Sequence, residues 1–236
     1  MDAPRKYEFT GETKEWMGRT LHQIRSLVEI AALGVAIGDL GGWVEKEENL
    51  AHQGNAWVFD NAQVYGNAQV YGNARVYDNA RVYGNALVFD NARVFGDAWV
   101  YDNAWVFGNA QVFDNAWVFG NARVYGNARV FGNARVFGDA RVFDNAWVFG
   151  NARVSPACLT GFPYTVTVTD NMVRVGCEYY ALDVWKSRGA AIIKANGYST
   201  DEARDWAELI VLIAKTHFKR VAKVKDPAAI SQEEAA

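Results

Sequence analysis

The sequence predicts a mainly β protein wound as a solenoid of short coils, with a β cap at its start and a β-hairpin plus two α-helices at its end. Three observations carry this prediction. From Ala56 to Val154 one six-residue phrase, Ala-x-Val-(Tyr/Phe)-(Gly/Asp)-(Asn/Asp), recurs almost without error. Valines fall at every sixth position from Val58 to Val154, seventeen in all, each with an alanine two residues before it. The residue after the valine is aromatic in every unit except the last, where Ser155 stands. A fixed short period of this kind marks units that stack and bury one another.

Each part of the unit has a physical role. Alternation over four residues puts Ala and Val on one side of a short strand, with the variable residue and the aromatic on the other. The Gly/Asp and Asn/Asp pair that follows is turn chemistry tolerant of positive φ, so the chain bends after every strand. A helix is excluded: period six holds no apolar stripe on a 3.6-residue face, and the β-branched and turn residues oppose it. Only small Ala and medium Val point inward, which implies a narrow prism whose core is one continuous valine stack.

Repeats such as Val64-Tyr65-Gly66-Asn67-Ala68-Gln69 resemble the hexapeptide-repeat family, which forms left-handed parallel β-helices. The resemblance implies the handedness and a triangular section of three hexapeptides per coil. At a spacing of ~4.8 Å between coils, the repeats would then make about five to six coils. Burial of each valine contributes ~1.5–3 kcal/mol before chain entropy is subtracted.

Composition narrows the class. The 236 residues are 50% hydrophobic and 22% charged, with a formal net charge of −3. That allows one long core plus small caps and points to neither a polyanion-binding nor a strongly acidic protein. Met1–Thr20 lacks a cationic start followed by an apolar run, so no secretory signal is expected, and no segment reaches the length of a membrane span. Cys158 and Cys177 are expected as buried free thiols in a reducing cytoplasm.

In chain order, residues 1–55 are the predicted N-terminal cap and first coil. Tyr7 and Phe9, then Trp16-Met17, a Gly18-Arg19 turn and Thr20–Ile24 read as short strands; Gly38–Val44 reads as an irregular coil leading into the array. Glu45–Asn49 is expected to interrupt the period as a charged loop. Residues 56–155 are the solenoid, and Ser155-Pro156 ends it because proline cannot continue the ladder. Residues 156–236 form the C-terminal cap. Thr165–Thr169, a turn at Asp170-Asn171 and Met172–Val175 make a hairpin signal. A helix through Leu182, Trp185, Ile192 and Ile193 ends at Asn196-Gly197. Ser199-Thr200-Asp201-Glu202 is a capping box opening a second helix to about Val221. Its Leu209–Ala214 segment is apolar all round and calls for cover. Lys215, Lys219, Arg220, Lys223 and Lys225 make the basic cluster, a solvated helix end or a contact for nucleic acid or membrane.

The layout also resembles a group of uncharacterised phage and prophage hexapeptide proteins, through Gly38–Leu50, the repeated Gly-Asn-Ala-Arg-Val-Tyr phrase, and Val175-Gly176-Cys177 leading to Trp185. The resemblance implies a phage setting in the bacterial cytoplasm and brings no catalytic residue. An inhibitor of a bacterial defence or other host system is the expectation for such a gene.

Hexapeptide acyltransferases use a histidine as general base at a subunit interface. The histidines here are His22, His52 and His217, all outside the array, which also lacks the three-histidine set of the related zinc enzymes. His52, near Glu47 and Glu48, is the nearest thing to a catalytic spot. No phosphate loop, nucleophile elbow or metal-ligand spacing appears, and no cofactor or metal is expected.

The outside of the prism holds the candidate site. With residues 18 apart stacked, Trp99, Tyr101, Trp117 and Phe119 adjoin on one face with no Arg between them, and Leu87, Phe89, Trp105 and Phe107 lie across the corner at Asp102-Asn103. Ring ladders partly bury one another and Arg adds cation–π cover, so the ladders can serve simply to stiffen the walls. The central patch nonetheless exceeds what a lone soluble protein shows and is the predicted surface for a partner protein or for a dimer or trimer of the chain. Eight Arg are matched by eight Asp between Ala56 and Val154, which weakens a nucleic-acid reading. The expected function is a non-catalytic phage-type binding or assembly protein. An acyltransferase-like enzyme is the alternative, and a nucleic-acid or nucleotide binder the third reading.

Overall fold

The computed structural model describes residues 5–152, 157–159, 164–170 and 172–221, with residues 157–159 and 219–221 described by backbone alone. From Trp57 to Trp147 each hexapeptide forms a two-residue strand, and strands 18 residues apart pair in parallel, as Trp57 with Arg75 and Trp99 with Trp117. Three parallel sheets result, one of them six strands deep, so the described residues make about six coils. Every Ala and Val of the repeat from Ala56 to Ala152 is buried, and together they form one continuous core.

The turns explain the period. Asp60, Asp78, Asp90, Asp102, Asp114 and Asp144 adopt φ between 51° and 59°, and the glycines at the equivalent position, such as Gly84 at 71°, lie a little further into the left-handed region. That conformation is free for glycine and costs other residues unless they gain a local bond. The aspartates gain one: the backbone N–H of Gly120 donates to Asp102 Oδ2 at 3.2 Å, one coil further on. Most of the following asparagines stack along the corners with side-chain amides donating to the next coil, as in Asn73 to Asn91 at 3.1 Å.

At the start, β1 (Tyr7–Trp16) and β2 (Arg19–Ser26) form an antiparallel hairpin through a Met17-Gly18 turn. β3 (Leu40–Val44) pairs antiparallel with β2 and parallel with the strand Gln63–Val64, and so forms the first rung of one face. Leu50 bridges Val70 and starts another. The expected interruption at Glu45–Asn49 is therefore corrected: Val44 and Leu50 keep the six-residue step, and a short 3-10 turn at Glu47–Asn49 makes the corner. The two extra residues lie between Leu50 and Val58, around His52.

The cap satisfies the open coil edge with side chains. Lys6 Nζ donates to Ala56 O at 2.7 Å, and the Tyr7 hydroxyl donates to Glu47 O and Leu50 O at 2.9 and 3.1 Å. Asn49 Nδ2 donates to Gly66 O and Ala68 O, while Asn49 Oδ1 accepts from the N–H of Lys46.

At the far end, Val166–Val168 and Met172–Val175 form the expected hairpin. Two strands join it: Ala157–Leu159, and Glu178–Ala181, which sequence reading missed. Gly176 (φ 58°) and Cys177 make the turn into the latter. α1 (Leu182–Ala195) and α2 (Thr200–Val221) pack on this sheet around a separate core of Val166, Val168, Val173, Trp185, Ile193 and Ile210. The capping box is present: Ser199 Oγ accepts from the Glu202 N–H, and the Ser199 N–H donates to Glu202 Oε2. α2 is not covered all round. Ile210 and Ala214 are buried, whereas Leu209 and Leu212 are 37% and 62% exposed. Cys177 is a free and exposed thiol, against the expected burial, because it sits in a hairpin turn. The expected stop at Ser155-Pro156, and Asn171 of the hairpin turn, lie outside the described residues. Among the described residues, no helix is long and apolar enough to cross a membrane.

Candidate functional site

The outward aromatics form three ladders with the spacing of the coils. Tyr83, Tyr101 and Phe119 follow one another with ring centroids 4.9 Å apart and planes within 2°; Phe89 and Phe107 stack at 4.8 Å, and Phe95 and Phe113 at 4.9 Å. Parallel pairing in register dictates this, since identical positions stand directly above one another.

Beside the Tyr83–Phe119 ladder runs a second column, which forms the centre of the site. Trp99 and Trp117 stack at 5.1 Å with planes 10° apart, and their edges meet the Tyr83 and Tyr101 rings at 6.1 and 6.3 Å. The Arg81 guanidinium lies over Trp99 at 5.1 Å and over Trp16 of the hairpin at 4.6 Å. Arg135 closes the other end, 4.4 Å from the Trp117 ring. The order along the face is thus Trp16, Arg81, Trp99, Trp117, Arg135. Next to its start, Lys14 lies 4.3 Å over Trp43. Its burial, and then the neighbouring Arg81 charge, bring the Lys14 pKa down to about 8.

The predicted patch is therefore assembled, but less open than the sequence suggests. Trp99, Tyr101 and Trp117 share one face and are half-buried; Phe119 is buried, at 4% exposure. Leu87, Phe89, Trp105 and Phe107 lie half-buried on the adjoining face, where Leu87 pairs with Trp105 and Arg123 covers Trp105 at 4.5 Å. No Arg separates Trp99 from Trp117, as expected, yet Arg81 and Arg135 cap the pair above and below. Trp57, expected outside, is fully buried because the Tyr7 ring of the cap meets it edge-on at 6.3 Å. Of the basic cluster, Lys215 is exposed on α2; the side chains of Lys219 and Arg220, and Lys223 and Lys225 altogether, lie outside the described residues.

Sequence reading missed the polar edge of this site. Asp97, Asn115, Asn133 and Asn151 line a shallow groove together with Trp99, Trp117 and Arg135. Their spacing of 18 residues is the signal that places them in one row, although each sits in the turn pair of its repeat. The result is an apolar column flanked by guanidinium groups on its ends and by a carboxylate and amides along one side.

The histidines take packing roles. His22 stacks on Phe9 at 4.7 Å. His52 stacks on Tyr7 at 4.5 Å, and its Nδ1 accepts from the Lys6 N–H at 3.1 Å. Burial chiefly, with the Lys6 and Arg5 charges, holds its pKa below the usual value, while Glu47 acts the other way. His217 lies on α2. Among the described residues, no grouping of His, Cys, Asp and Glu is arranged to hold a metal ion.

A family model described as the YdcK beta solenoid repeat matches residues 68–83, 74–89, 80–93 and 122–136. Those residues are units of the coil array and contribute strands to all three parallel sheets. The chain is a β-solenoid repeat protein. The match covers coil units alone and leaves both caps of this solenoid outside it. No curated protein matches the chain at a significant level.

Proposed function

We propose that this solenoid is a non-catalytic binding or assembly protein that engages a partner protein through its lateral Trp–Arg face. The observation that carries the proposal is the Trp99–Trp117 pair, held between Arg81 and Arg135 and bordered by Asp97, Asn115, Asn133 and Asn151. Protein interfaces concentrate binding energy in tryptophan, tyrosine and arginine at a packed centre, with polar groups around it. This face has that composition in rigid form, so little conformational entropy would be lost on docking. The resemblance to phage proteins supports a bacterial host factor in the cytoplasm as the partner; a second copy, giving a dimer or trimer, is the other occupant that the test distinguishes. The reading of the coils as a left-handed hexapeptide prism belongs to the same proposal and rests on the same resemblance.

The test uses substitutions that the repeat already tolerates. Arg occupies the position of Trp99 and Trp117 in the coils on either side, as Arg81 and Arg135. Trp99→Arg with Trp117→Arg therefore keeps the coil while replacing the apolar centre by charge. The expected result is an unchanged circular dichroism spectrum, with loss of partner capture from bacterial lysate or of oligomer mass by light scattering. Unchanged mass and unchanged capture would reject the proposal.

A further inference from the structure

The C-terminal cap holds a pocket that the lateral face does not use. It lies between the antiparallel sheet and the two helices, with a cavity volume of about 100 Å³ and an open mouth. Its lining is mostly apolar with a few polar groups, as small-molecule sites are. Aromatic rings and one acid distinguish it from an ordinary packing gap.

Tyr164, Trp185, Tyr198 and Trp206 contribute four aromatic side chains to the lining. Tyr164 and Tyr198 meet at 66° with centroids 6.4 Å apart, so they form two walls of a corner. Trp185 is buried at the floor, and its indole N–H is committed to Val173 O at 3.0 Å, which fixes the ring. Gly176 keeps the Tyr164 wall in place: a Cβ there would stand 3.0 Å from the Tyr164 ring. Tyr164 itself is 45% exposed, so the pocket opens to solvent on that side.

Charge selects among possible ligands. Among the described residues, Glu178 is the acidic side chain of the lining, and no Lys or Arg lines the pocket. The Asn196 amide is already engaged with Ile192 O at 2.9 Å. Glu178 also faces the exposed Tyr180 phenol, whose pKa it raises, and Arg188 lies nearby on α1, outside the lining. A carboxylate at the rim of an aromatic box favours a ligand that is cationic yet weakly hydrated. Ring faces attract such cations most strongly where water is excluded.

We propose that this pocket binds a small organic cation of the quaternary-ammonium class, with the aromatic walls around the alkylated nitrogen and Glu178 as the counter-charge. The proposal is independent of the lateral face and stands or falls without it. The test is a titration of the full chain with choline, with its neutral isostere 3,3-dimethyl-1-butanol, and with sodium chloride as an ionic control, followed by tryptophan fluorescence and calorimetry. Saturable choline binding, at least tenfold tighter than the isostere, is expected. Glu178→Gln should weaken choline by about fivefold or more, on the order of 1 kcal/mol, and leave the isostere unchanged. Tyr198→Leu, which removes one wall without touching the floor, should weaken choline in the same sense. Equal binding of the two ligands, or a Glu178→Gln variant that binds choline as the parent does, would reduce the site to an apolar cavity and overturn the proposal. So would the absence of saturation by choline.

Discussion

The turn residue shows how one side chain sets a coil. Gly84 sits at φ 71°, and a Cβ there would lie 2.8 Å from the backbone nitrogen of Asp102 in the next coil. Gly84→Ala is expected to cost ~1–2 kcal/mol from the left-handed backbone alone. Gly84→Asp should cost less, because aspartate at this position relaxes φ by several degrees and accepts the next coil's N–H, as Asp102 does from Gly120. Urea midpoints at constant m-value for the two variants decide this; equal losses would refute it. The alternation of Gly and Asp in the repeat is thus one conformation reached in two ways.

His52 belongs to the same scale and gives a pH dependence. Its Nδ1 accepts from Lys6, so the neutral ring is the form the fold holds, and its folded pKa lies below the ordinary 6.5. A depressed pKa means that this contribution to stability is complete above about pH 6.5 and is lost as pH falls toward the folded value, where the unfolded chain takes the proton first. The groups facing the ring are Glu47, which opposes the shift, and Lys6 and Arg5, which reinforce it. Protection factors in β1 and β2, taken against the intrinsic exchange rate at each pH, should therefore fall as pH is lowered from about 7 to about 5. His52→Phe keeps the stacking on Tyr7 but cannot titrate, and should remove most of that slope. An unchanged slope would show that other groups set it.

Among the elements, the two ends of the array solve the same problem differently. At the start, strands of the hairpin continue one sheet, and side chains from Lys6, Tyr7 and Asn49 fill the remaining acceptors. At the finish, the described residues add side-chain links: the Arg174 guanidinium lies 4.1 Å from the Trp147 ring and donates to Asn145 O, and Tyr179 packs on Phe149 at 4.2 Å. The strand Ala157–Leu159 also lies against the coil strand Arg141–Val142. α1 and α2 approach closely at Gly189, where a Cβ would meet Ala207 at 3.2 Å. The cap core is a hydrophobic cluster distinct from the valine stack. Trp185→Ala should therefore cost the cap ~3–5 kcal/mol and speed exchange in both helices, while exchange in the coils stays as it was. Loss of protection throughout the coils would show instead that the two cores fold as one.

At the scale of the whole molecule, stability comes from repetition. Each coil buries its valines only against its neighbours, so the array behaves as a row of nearest-neighbour contacts. The sequence by itself determined the strand-and-turn unit, the inward Ala and Val, the short strands before the array, the capping box and the helix limits, while three units per coil came from the family resemblance. These are legible because they depend on local backbone preference and on a strict period. It also located Trp99, Trp117 and Trp105 on adjoining faces, since register follows from counting. Only the tertiary structure decided that Trp57 and Phe119 are buried, that Arg81 and Arg135 close the tryptophan column, that Glu45–Asn49 is a corner rather than an interruption, and that an aromatic pocket forms beneath Gly176. Each of these depends on contacts between residues distant in the chain and outside the repeat, and no periodicity encodes where such partners meet.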